Sequence, residues 1–130
     1  MSKLRKITID GDEYLYGITT QYHKENQTST LTIRIFLNGE KKTPLIIKFL
    51  TLDNYFLGNP LNSGVKLFHK TMNSNETINI NHPGLIRKFI ELGIKHGWTG
   101  SNKTEVQNGI DYLEELGYNT NSITNGTTTT

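Results

Sequence analysis

The sequence predicts an α+β fold: an antiparallel sheet of about five strands with two C-terminal helices packed on one face. Three observations carry this. Residues 3–51 alternate apolar and polar side chains with period two, the mark of half-buried strands. Asp10-Gly11 and Asn38-Gly39 interrupt that alternation with the turn residues of short hairpins. Residues 83–96 then change to helical spacing, so the helices follow the strands instead of alternating with them, as in α+β architectures.

In chain order, Leu4, Lys6 and the Ile7/Ile9 pair predict a first strand over about 3–9. A second strand, about 13–22, sets Tyr14, Tyr16, Ile18, Thr20 and Tyr22 on one face. After a polar loop at 24–29, the third strand places Leu31, Ile33, Ile35 and Leu37 on one face and Thr30, Thr32 and Arg34 on the other. The fourth, about 43–51, turns Leu45, Ile47 and Phe49 inward and Lys48 outward. Pro44 near its start is permitted there. Residues 52–63 read as a packed surface loop, in which Tyr55, Phe56, Leu57 and Leu61 need burial. Residues 65–70 fit a strand or a helical turn, and 77–81 alternate as a fifth strand.

The segment Asn81 to Trp98 holds the clearest element. Asn81 or His82 can cap a helix, and Pro83 suits its first turn. Leu85, Ile86, Phe89, Ile90 and Ile94 share one face, with Arg87, Lys88, Glu91 and Lys95 largely opposite. Lys95 and His96 complement the helix dipole at its end, Gly97 is the left-handed stop, and Trp98 is expected to fold back. A second helix is predicted over 103–116, its buried face marked by Val106, Ile110, Leu113 and Leu116, with Gly117 as its end. Residues 1–118 are thus expected to form one compact domain, and 119–130 a disordered polar tail, too poor in apolar residues to repay ordering.

Composition removes several kinds of chemistry. The chain has 130 residues and no cysteine, so neither a disulfide framework nor a thiolate site is available. A net charge of +2 is too small to argue for nucleic acid by itself. No apolar run reaches membrane-spanning length, and the basic start of the chain is followed by no apolar core. A cytoplasmic location without membrane attachment is therefore expected.

No motif assigns a reaction, cofactor or metal. His82 and His96 stand at opposite ends of one helix, roughly 20 Å apart at the standard rise, and cannot share an ion. Asp10, Asp12 and Glu13 surround a turn but lack the calcium-loop spacing. The Gly58–Gly64 stretch lacks the Lys-Ser/Thr of a phosphate loop. For interaction, Tyr14, Tyr16, Arg34, Lys48, Arg87 and Trp98 are the candidates. If sheet and helix faces adjoin, their cations form a patch and the tyrosines stack bases. Trp98 would then be a partner hot spot. The plainer reading puts the aromatics in the core.

The arrangement Ile80–Trp98, with Pro83-Gly84, Ile86-Arg87, Ile90, Gly93 and Gly97-Trp98, resembles that of a group of short uncharacterised bacterial proteins. Those proteins also begin with a strand resembling Lys6–Tyr14. The resemblance implies one compact domain and brings no catalytic residues. The expected function is a non-enzymatic protein-binding module, immunity-like or accessory, with another protein as partner. Nucleic-acid binding through a basic sheet face is the alternative, and a small hydrolase or ligand binder around residues 53–64 is the third.

Overall fold

In the computed structural model, described over residues 4–53 and 58–124, the chain is α+β and rich in strand. Four antiparallel strands form the expected meander: β1 (Arg5–Ile9), β2 (Asp12–His23), β3 (Thr28–Leu37) and β4 (Glu40–Leu52). The β1–β2 turn needs left-handed backbone at both central positions, and Asp10 and Gly11 supply it at φ 51° and 86°. Gly39 does the same at φ 92° between β3 and β4. Alternation works as expected on the inner side: Leu31, Ile33, Ile35, Leu45, Ile47 and Phe49 have no exposed surface.

The chain then leaves the sheet. Asn59 caps a single-turn helix α1 (Pro60–Ser63) by accepting a hydrogen bond from the Leu61 N–H at 2.9 Å. Its amide donates to the Ser29 hydroxyl at 2.8 Å. Leu61 is buried as expected; Tyr55, Phe56 and Leu57 lie outside the described residues. Strands β5 (Val65–His69) and β6 (Ser74–Ile78) make a separate hairpin. The strand expected at 77–81 therefore begins earlier and belongs to this second sheet. Ile80 nevertheless stays buried, its N–H donating to the Leu61 carbonyl at 2.8 Å.

Helix α2 (Pro83–Lys95) forms where expected, with two corrections. His82 stands at its N-cap but makes no side-chain capping bond, and the Asn81 amide donates to Asn79 and Asn62 at 3.1 and 3.2 Å. Ile94, expected in the buried stripe, is 42% exposed. The cause is Gly93: a Cβ there would collide with the Leu45 side chain, so helix and sheet approach through residue 93 and Ile94 swings outward. Gly97, at φ 106°, ends the helix. The Trp98 N–H donates to the Gly93 carbonyl at 2.9 Å, the long bond of a Schellman stop.

The largest departure is at 103–116. In place of one helix there is a strand, β7 (Glu105–Asn108), and then a short helix, α3 (Gly109–Glu115). Strand β7 joins β4 in parallel, Leu45 to Lys48 facing Glu105 to Asn108, and completes a sheet of order β1-β2-β3-β4-β7. Val106 and Ile110 have helical spacing by coincidence. Asn108 is the true start signal, its side chain accepting from the Ile110 N–H at 2.9 Å, and Val106 is 59% exposed. Gly109 lets α3 lie directly on the Phe49 ring.

The tail also departs from expectation as far as Thr124. Lys70 N–H donates to the Gly117 carbonyl and Asn119 N–H to the Phe68 carbonyl, both at 2.8 Å, which ties the segment to β5. Helix α4 (Asn121–Thr124) follows, with Ile123 buried at 2% exposure. One apolar residue in a polar stretch is enough to anchor it. Residues 125–130 lie outside the described range. Among the described helices, none is long and apolar enough to cross a membrane.

Candidate functional site

The second side of the five-stranded sheet is built from the residues that alternate with the core. On β3 these are Thr30, Thr32, Arg34 and Phe36, and on β4 they are Ile46, Lys48 and Leu50. Register lines them up across the strands. Gly17, Arg34, Ile46 and Val106 form one row, and Thr19, Thr32, Lys48 and Asn108 the next. Leu15 stands opposite Phe36. Leu4 lies over Gly17, close enough that an added Cβ would sit 3.2 Å from its Cδ2.

This outer side is wet where the inner side is dry. Leu4, Leu50 and Val106 are 47%, 56% and 59% exposed, while Leu15, Phe36 and Ile46 are half-buried. Arg34 and Lys48 are exposed in its middle and form no ion pair among the described residues. At the rim, Lys6 and Glu13 approach to 3.9 Å, and Glu13 also accepts from the Asn38 amide at 2.6 Å. The open face is thus a band of aliphatic side chains around two uncompensated cations.

The residues singled out from sequence divide into three places. Tyr14, Tyr16 and Trp98 are in the core, at 4%, 2% and 0% exposure. The Trp98 indole N–H donates to the Thr43 carbonyl at 2.9 Å, and its ring lies 6.0 Å from that of Tyr14. None of the three offers a ring to a base or a partner in this conformation. Arg87 lies on the solvent side of α2 and pairs with Glu91 at 3.3 Å. On the open face Arg34 and Lys48 come together, as diagonal neighbours on adjacent strands. Leu50 and Val106, the most exposed apolar residues of the face, were not singled out. The run Leu45-Ile46-Ile47-Lys48-Phe49-Leu50 was the available signal, since apolar residues occupy outward as well as inward positions.

Other clusters are chemically quiet. At the end of α2, His96 Nε2 and Lys95 Nζ meet the two Glu115 oxygens at 2.9 and 3.2 Å. The His96 hydrogen bond, more than that of Lys95, holds the Glu115 carboxyl below its ordinary value against a smaller opposing effect of burial. Beside it, burial and then Glu105 and Glu115 push the Tyr112 phenol up to about 12. At neutral pH the phenol is neutral and the carboxylate is ionised and already paired. A cleft of about 350 Å³ lies on the open face, lined by Thr30, Lys48, Leu50, Val106, Gln107 and Asn108, and two more lie elsewhere. One, about 290 Å³, is lined by Arg5, Tyr16, Gly17, Ile18, Thr20, Asn62 and Asn81. The other, about 230 Å³, lies between β6 and the start of α2 and includes His82, Lys88 and Tyr118. Neither brings together two titratable side chains in hydrogen-bond contact, and among the described residues no three metal-ligating side chains converge. Asn59, in the 53–64 loop of the third reading, hydrolase or ligand binder, caps α1 and bonds Ser29.

No protein-family model, curated protein or solved structure matches this chain, and what it does is therefore argued from this surface.

Proposed function

We propose that the protein is a non-enzymatic protein-binding module, of the accessory or immunity-like kind, that acts in the cytoplasm through the open face of its five-stranded sheet. The observation that carries this is the exposure of Leu50 and Val106, at 56% and 59%, beside half-buried Ile46. Val106 stands opposite Ile46, and Leu50 is two rows away across Lys48; exposed aliphatic side chains grouped on one sheet face mark an interaction site more often than bare solvent contact. The alternative, nucleic-acid binding, has Arg34 and Lys48 in its favour. Against it, Tyr14 and Tyr16 are spent on the core, which leaves half-buried Phe36 as an aromatic of this face.

Native mass spectrometry of the protein drawn gently from its host tests the reading. A stoichiometric protein partner is expected with the unaltered chain and with Arg87→Glu, which changes the helix side. The pair Leu50→Asp and Val106→Asp is expected to lose it. A partner retained by that pair, or a bare chain throughout, would sink the proposal.

A further inference from the structure

We propose that the surface docking on this face is an acidic amphipathic helical one, whose carboxylates meet Arg34 and Lys48 while its apolar side chains cover Ile46, Leu50 and Val106. The inference rests on the protein-binding reading above and adds the chemistry of the partner.

Charge is the first argument. Thr32 and Arg34 on β3 face Lys48 and Ile46 on β4, so the two cations are diagonal neighbours, roughly 7–8 Å apart at the backbone. Around them in the register stand threonines, Asn108, Phe36 and aliphatic residues, and at the rim the Glu13 carboxylate is engaged by Lys6 and Asn38. Two cations taken out of water without a carboxylate would cost several kcal/mol each. A partner that covers the aliphatic residues must therefore bring anions to the middle of the contact. A second copy of this chain fails that requirement: packing the same face about a two-fold axis sets Arg34 and Lys48 against their own counterparts.

Shape is the second argument. Arg34 and Lys48 lie on β3 and β4, which are paired on both sides, so this part of the face is read through side chains. Its width is roughly 20 Å, from five strands at about 4.8 Å spacing. Helices pack about 8–10 Å apart, and two lie side by side across that width. Sheets with one face already covered are completed in this way in three-layer folds. On a helix, carboxylates four residues apart are about 6 Å from each other, within reach of both long cationic side chains.

Photo-crosslinking in the host separates this inference from the reading beneath it. The full chain carries Leu50→p-benzoylphenylalanine, and the crosslinked peptide is identified by mass spectrometry. The expected adduct is a partner peptide with apolar residues at helical spacing and Asp or Glu at i, i+4. Adding Arg34→Glu with Lys48→Glu is expected to lower its yield tenfold or more. Arg87→Glu is expected to leave the yield unchanged, and matched denaturation midpoints show that the charge-reversed chain folds. A partner peptide without carboxylates, or a yield indifferent to charge reversal, overturns the acidic-helix assignment and leaves protein binding standing. A crosslink only to a second copy, to lipid or to nucleic acid, or no protein adduct at all, overturns both.

Discussion

Phe49 and Leu50 are neighbours on one strand and live in different solvents. Phe49 has no exposed surface, and Leu50 is 56% exposed. The same contrast separates the whole inner side of the sheet from its outer side. Inside, α2 and α3 bring Phe89 and Gly109 onto Phe49, and burying a side chain of this size stabilises by about 1.5–3 kcal/mol. Outside, Leu50, Val106 and Ile46 have realised only part of that gain. A strand's alternation decides which side a residue joins; what lies over that side decides whether it stabilises folding or is left for association.

The sharpest test of this contrast lies inside. Phe89→Ala is expected to cost about 3–5 kcal/mol, since its ring lies 5.3 Å from that of Phe49 with no exposed surface. A near-neutral denaturation midpoint would remove the inner side from the core. Next, Gly109→Ala is expected to cost about 1–3 kcal/mol through overpacking, because its new Cβ would meet the Phe49 ring. If it stabilises instead, α3 does not bear directly on the sheet. Tyr112→Phe removes a buried hydroxyl without a partner among the described residues. It is expected to leave stability unchanged or to raise it by about 1 kcal/mol, and a clear loss would reveal a hidden hydrogen bond.

The outer side should respond least. Leu50→Ser is expected to stay within about 0.5 kcal/mol of the unaltered chain. A cost above about 1 kcal/mol would mean that the face is already covered, and the contrast would fail. A pH titration gives the smallest expected signal, at the helix ends. Glu115 has its pKa lowered from 4.5 in the folded chain, so its contribution is present above the unfolded value and lost as pH falls through the folded one. The stability difference between the unaltered chain and Glu115→Gln should therefore shrink as the pH is taken below about 4. A difference that grows on acidification would reverse the assignment.

The meander was legible because it is local: Asp10-Gly11 and Asn38-Gly39 set two of its three turns, and alternation along each strand set which side its residues face. Arg34 and Lys48 were legible as outward residues for the same reason. Residues 105–116 were not, because β7 is held by pairing with a strand far away in sequence, and spacing alone read Val106 and Ile110 as one helix face. Ile94 was misplaced because the approach of α2 to Leu45 at Gly93 is a tertiary event. The burial of Tyr14, Tyr16 and Trp98 agreed with the plainer reading. The run Leu45–Leu50 marked apolar residues at outward positions, but such residues look the same in sequence whether or not something covers them, so the exposure of Leu50 was not readable from it, and Val106 lay in the misread segment.

The late arrival of β7 has a consequence for how the chain is made. Synthesis runs at about 5–20 residues per second, and β4 leaves the ribosome well before its neighbour Glu105–Asn108. In that interval one edge of the longest strand is bare, with Leu45, Ile46, Ile47, Phe49 and Leu50 along it. Unpaired edges of this composition recruit other chains. The strand carries its own protection: Lys41 and Lys42 near its start, Pro44 within the shifted β3–β4 register, and Lys48 in the middle of the apolar run. Lys48 thus guards the nascent strand before β7 is made, and under the proposed function the same charge then serves the partner.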